Sequence, residues 1–111
     1  MKWHALEGAW RITAMPDLVE EYLEEGEHEP KLVLARKGRD WNGEFEAGYM
    51  SLGLFGYLDP ADPERLLFTF DGLDEHHQVA GLGFVAATGD DARGEVWFHG
   101  GDRYRFEARR E

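Results

Sequence analysis

The chain has 111 residues, 42% of them hydrophobic and 14% aromatic, and carries a net charge of −11 at pH 7 with no cysteine. A chain of this length is one domain that buries roughly two-thirds of its unfolded surface in a single core. The missing cysteine excludes disulfides, thiolate catalysis and sulfur-ligated zinc. The acidic balance, with no Lys/Arg stripe interleaved with aromatics, argues against nucleic acid as a partner.

Residues 1–8 hold no apolar run of signal-peptide length, and no stretch reaches the roughly 18 apolar residues of a membrane span. The expectation is a soluble cytoplasmic protein with no membrane partner. In chain order, residues 8–14 (GAWRITA) alternate: Trp10, Ile12 and Ala14 on one face, Arg11 and Thr13 on the other. That period of two predicts a half-buried strand. Pro16 ends it. Asp17, with Glu20 three residues on, forms a capping box for a helix through Glu25 that Gly26 closes.

The helix has an apolar stripe of Leu18, Val19, Tyr22 and Leu23 and a wet face of Glu20, Glu21, Glu24 and Glu25. Residues 17–29 hold seven acids, Asp17, Glu20, Glu21, Glu24, Glu25, Glu27 and Glu29, and no base. Such a segment offers a docking face for a basic protein partner, or simply a solvated side. A helix this short must dock on the rest of the domain to persist.

Beyond Pro30 the pattern is strand and turn. Strands are expected at residues 31–36 (KLVLAR), from Glu44 toward Tyr49, at 52–58, 65–70 (RLLFTF), 78–87 (QVAGLGFVAA), 94–99 (GEVWFH) and 103–108 (RYRFEA). Turn chemistry lies at 38–43 with Asn42-Gly43, in the loop from Pro60 to Pro63, and at Asp71-Gly72, 89–91 and 100–102. Gly53 and Gly56 suggest a bend or bulge in their strand. Eight short strands joined by tight turns predict an all-β fold: an antiparallel, eight-stranded up-and-down meander closed into a barrel, with the helix between strands 1 and 2. A two-sheet sandwich is the competing architecture.

The run Leu6-Glu7-Gly8-Ala9-Trp10-Arg11-Ile12, followed by a helix and a meander, resembles the start of the lipocalin and fatty-acid-binding-protein superfamily, the calycins. A group of small bacterial proteins is similar over more of the chain. Its pattern corresponds to LEGAWRITAM at the front, Gly43 to Phe45 and Gly48, then FTFDGLDE, Gly81-Leu82-Gly83 and HGGD. The resemblance implies a calycin-like barrel, with Trp10 plugging one end under a late arginine such as Arg109, and implies no particular activity.

Three functions fit the residues. Trp10, Leu18, Tyr22, Phe45, Tyr49, Phe68, Phe70, Phe84, Trp97, Tyr104 and Phe106 sit where they would line a small barrel or its mouth. The first reading is therefore a non-catalytic binding module for a small hydrophobic or aromatic ligand, against the alternative that these rings simply fill the core. The second is an interaction or inhibitor protein presenting the acidic segment.

The third is an enzyme at the hairpin tips. Asp74, Glu75, His76 and His77 form the densest metal-competent set, and Glu75, His77 and His99, with Asp102, would hold a divalent metal or an acid/base pair if their turns met. No cofactor is otherwise indicated. The single serine, Ser51, leaves acyl transfer without a nucleophile, and the spacing of Gly81 and Gly83 matches no phosphate loop.

Overall fold

The computed structural model describes residues 4–18, 20–26 and 28–111; Val19 of the apolar stripe and Glu27 of the acidic run lie outside the described residues. Eight strands follow in order: β1 (Gly8–Ala14), β2 (His28–Lys37), β3 (Asp40–Gly48), β4 (Met50–Asp59), β5 (Asp62–Asp74), β6 (His77–Thr88), β7 (Asp91–Phe98) and β8 (Arg103–Arg110). One helix, α1 (Glu20–Glu25), lies between β1 and β2. Each strand pairs antiparallel with the next, and β8 returns to β1 through Trp10↔Arg110 and Ile12↔Ala108. That closed up-and-down barrel is the expected architecture, and closure rules out the sandwich.

Two-residue turns set the registers. Lys37 pairs with Asp40, Ala47 with Met50, Asp74 with His77 and Thr88 with Asp91. In three of these the first loop residue is a glycine at positive φ: Gly38, Gly48 and Gly89. In the fourth it is Glu75, at φ 58, the one non-glycine residue with positive φ among the described residues.

The first of these turns corrects the sequence reading. Asn42 and Gly43 are not a turn: they pair with Ala35 and Leu34 inside β3, because the backbone reverses at Gly38 and Arg39. Asp71 and Gly72 likewise continue β5, with pairing unbroken to Asp74. A Cβ on Gly72 would stand 2.1 Å from the Ser51 carbonyl oxygen, so this glycine serves close strand approach rather than a turn. Nor do Gly53 and Gly56 bulge their strand: the β4–β5 register shifts only between Leu58 and Asp59. Between the prolines, Pro60 and Ala61 make the turn and Pro63 already belongs to β5.

Even-numbered residues of β4, β5, β7 and β8 and odd-numbered residues of β3 and β6 point inward, giving Leu52, Leu54, Leu66, Phe68, Phe70, Val96, Phe106, Trp41, Phe45 and Val85 to the core. No charged or polar residue is buried among the described residues. Large rings lie over inward-facing glycines of the next strand. A Cβ on Gly83 would meet the Phe68 ring at 2.8 Å, and one on Gly94 the Phe106 ring at 2.7 Å. The glycines make room for rings supplied by their neighbours.

One end of the barrel is shut by the N-terminal segment. Trp10 is fully buried and donates its indole N–H to the Leu6 carbonyl at 3.0 Å. Arg110 lies over the indole, 4.2 Å from the ring centroid, and donates to the carbonyls of Glu7 and Ala5. The covering arginine is thus Arg110 and not Arg109. Arg109 pairs with Arg11 across the β1–β8 ladder and points to solvent, whereas the next residue points inward.

Candidate functional site

The opposite end carries α1 and the turns at Gly48 and Tyr49, at Glu75 and His76, and at residues 99–102, as an up-and-down order requires. The helix is shorter than its sequence pattern. Residues 15–18 form a turn closed by the Leu18 N–H on the Met15 carbonyl, and α1 starts at Glu20. Asp17 is drawn elsewhere: its carboxylate accepts the Arg105 backbone N–H at 2.9 Å and the guanidinium at 2.9 and 3.0 Å. Those bonds hold the Asp17 carboxyl down to about 2, below the ordinary 3.8. The expected capping box gives way to a tie between the helix approach and β8.

Tyr22 anchors α1. Its ring packs on Gly48, where a Cβ would come within 2.1 Å of it, and stands edge-on to Tyr49 at 5.6 Å. Its hydroxyl donates to Asp74 Oδ1 at 2.8 Å, binding the helix to the end of β5. Burial first, then the bond to Asp74 and its negative charge, push the Tyr22 phenol well above its usual range. Leu18 and Leu23 pack beside it against the core.

Between the β5–β6 and β7–β8 turns lies an open cleft of about 900 Å³, whose walls include Asp74, Val79, Phe98, His99, Asp102 and Tyr104. Its floor is aromatic. Phe98 meets the buried Phe70 edge-on at 5.1 Å and Tyr104 at 5.6 Å. Tyr104 donates its hydroxyl to Asp102 Oδ2 at 3.1 Å. Burial, that bond and the charges of Asp102 and Asp74 raise its pKa, so both aspartates bear on one phenol. The cleft combines an apolar floor with carboxylates on its rim.

The sequence-derived residues divide three ways. Tyr104 lines the cleft, while Leu18, Tyr22 and Tyr49 stand around the helix at the same end. Trp10, Phe45, Phe68, Phe70 and Phe106 are 0–4% exposed and pack on core neighbours; Phe45 and Phe106, for example, meet edge-on at 5.2 Å. Phe84 and Trp97 are corrections, because they lie on the outside of the barrel, under Arg65 at 4.0 Å and Arg103 at 5.4 Å. Phe98, which the sequence reading passed over, takes the inward place. Strand β6 carries apolar residues on both faces, but β7 does not: Trp97 shares its face with Asp91, Arg93 and Glu95, whereas Phe98 continues the Ala92, Gly94, Val96 series opposite Phe106, which is the signal that marks Phe98 as inner.

The metal-competent trio is not assembled. His99 borders the large cleft, Glu75 borders a separate depression with His28 and His76, and His77 lines neither. Among the described residues no three His, Asp or Glu side chains are grouped to hold a metal ion. No described helix is long and apolar enough to cross a membrane.

No protein-family model matches the chain, and neither does any curated protein.

Proposed function

We propose that the protein is a non-catalytic binding module that takes a small molecule with an apolar or aromatic body at the mouth of the barrel. The observation that carries this reading is the cleft of about 900 Å³ floored by Phe98 and Tyr104 and rimmed by Asp74 and Asp102. Its volume falls in the usual range for small-molecule sites, and a few polar groups around an apolar floor is their usual chemistry. The mouth, not the barrel interior, is the seat of binding, since Phe45, Phe68, Phe70 and Phe106 already occupy the inside. The Tyr22 hydroxyl supports the reading by fixing the carboxylate of Asp74, one of the groups that line the cleft.

Binding is tested by thermal shift and calorimetry with a panel of small aromatic compounds, neutral and amine-bearing. A hit raises the melting temperature of the wild type; Tyr104→Ala removes part of the floor and Val79→Trp fills the cleft, and both weaken the hit at least about tenfold. Equal affinity in wild type and both variants would sink the proposal.

A second reading draws on α1, whose Glu21 and Glu24 are exposed while Tyr22 and Leu23 pack inward. On that reading the helix receives a basic protein. Affinity would then fall as salt rises and on reversing the charge of both glutamates.

A further inference from the structure

The outside of the barrel is not uniformly polar. Phe55, Tyr57, Leu82 and Trp97 are 55%, 57%, 49% and 37% exposed. The ladder registers set them side by side: Phe55 pairs with Thr69, Thr69 with Leu82 and Leu82 with Trp97, while Tyr57 pairs with Leu67 and Leu67 with Phe84. One apolar row therefore crosses β4 to β7 and a second crosses β4 to β6, ending against Glu95 on β7; between them runs a groove of about 360 Å³ lined by Phe55, Tyr57, Leu67 and Leu82.

An aromatic side chain carries about 150–250 Å². At these exposures the apolar part of the face amounts to roughly 400 Å², within the range of the largest apolar patch on a typical monomer, which is often functional.

The margins carry opposite charge. On one side, β3 and β4 hold Asp40, Glu44, Glu46 and Asp59 and no base. On the other, β8 turns Arg103, Arg105 and Arg109 outward against the single acid Glu107, Arg105 being already paired with Asp17. A face with an acidic flank and a basic flank around an apolar centre is complementary to itself under one kind of two-fold axis. An axis running along the strands between β5 and β6 lays the β3 flank of one copy over the β8 flank of the other. An axis across the strands would set acid on acid.

We propose that the outer face of β4 to β7 is a self-association surface, on which a second copy of this chain docks face to face with its β3 flank against the β8 flank of the first. Leu82 lies at the centre of the apolar rows, and Phe55 and Trp97 lie at their ends. Arg103, already stacked on Trp97, extends the row toward the acids of the other copy. Because each chain is strongly acidic overall, this pairing of flanks is what brings two copies together against their net repulsion.

The test is sedimentation velocity over a concentration series reaching a few hundred micromolar. The wild type is expected to show a reversible monomer–dimer equilibrium. Leu82→Glu and, independently, Phe55→Ser raise the dimer dissociation constant at least about tenfold while the circular dichroism and melting temperature of the dilute monomer are kept. Two variants guard against one that does not fold.

Glu44→Arg and Arg103→Glu each weaken the dimer, and the two together recover it. A combined variant weaker than either single change overturns the arrangement. A wild type that stays monomeric throughout overturns the proposal. So does a monomeric wild type that floats with neutral phosphatidylcholine vesicles, which would assign the face to a lipid surface instead.

Discussion

The Tyr22 hydroxyl donates to Asp74 Oδ1 at 2.8 Å across 52 positions of sequence, and this bond, with the ring seated on Gly48, joins the only helix among the described residues to the far hairpin of the barrel mouth. A six-residue helix has no independent stability in water. Its persistence rests on that attachment and on Leu18 and Leu23 beneath it.

Tyr22→Phe removes the bond and keeps the ring. The expected cost is about 1 kcal/mol, concentrated locally, so amide exchange across residues 20–26 accelerates while the core strands are unchanged. The phenol is an acid whose folded pKa lies above its ordinary 10.0. Its contribution is whole below that value and is lost as pH rises above it, because the unfolded chain ionises first. Wild type and variant should therefore converge in stability in strong alkali; a constant difference through that range would refute the role of the bond.

At the acid end the same logic has the opposite sign. Asp17 is held at about 2 by Arg105, against 3.8 ordinarily, so its stabilising contribution is present above about 3.8 and disappears as pH falls toward 2. Both partners are partly exposed, with side chains 64% and 32% accessible for Arg105 and Asp17, and solvent keeps the effect small. Asp17→Asn should lower the melting temperature slightly near neutrality and match the wild type at the bottom of that window. Added salt should narrow the gap.

Gly83→Ala tests the packing of rings over glycines. The new methyl would meet the Phe68 ring at 2.8 Å and the Glu95 carbonyl oxygen at 2.2 Å. The carbonyl belongs to the backbone of the neighbouring strand and cannot yield cheaply, so the expected loss is about 1–3 kcal/mol, read by denaturant unfolding. An equally stable variant would mean that the interior has slack.

Glu75 invites the reverse change. Its φ of 58 sits where three other two-residue turns use Gly38, Gly48 and Gly89, and its N–H is held by the Tyr49 carbonyl at 3.1 Å. Glu75→Gly relieves the left-handed backbone at some entropic cost in the unfolded chain, for a net gain of up to about 1 kcal/mol. Chemical denaturation of the two proteins checks the sign.

Much of the fold was legible. Trp10 and Ile12 alternate with Arg11 and Thr13, so the direction of β1 is written in its own residues, and the acidic run with its apolar stripe marks α1. Strand β6 does not declare itself in this way; β7 does, with Asp91, Arg93 and Glu95 on the face of Trp97. Phe84 and Trp97 are the bulkiest residues there and were expected inside, yet Gly83 and Phe98 face the core. Strand β6 turns glycines inward because Phe68 and Phe70 arrive from β5 to cover them. Asp17 illustrates the same limit at the helix: its spacing to Glu20 suits a capping box, but Arg105, distant in sequence, offers its carboxylate a charged fork and a backbone N–H at once.

Sequence by itself determined the elements whose periodicity is local: eight strands, one helix, and an order that admits a meander. Only the tertiary structure decided which face of β6 is inner, that Asp74 and Asp102 bear on one phenol at the mouth, and that the apolar side chains left over gather outside on β4 to β7. The reason is physical. Alternation assigns a strand two faces but does not say which is dry when both are apolar; that is settled by the volume its neighbours leave to be filled.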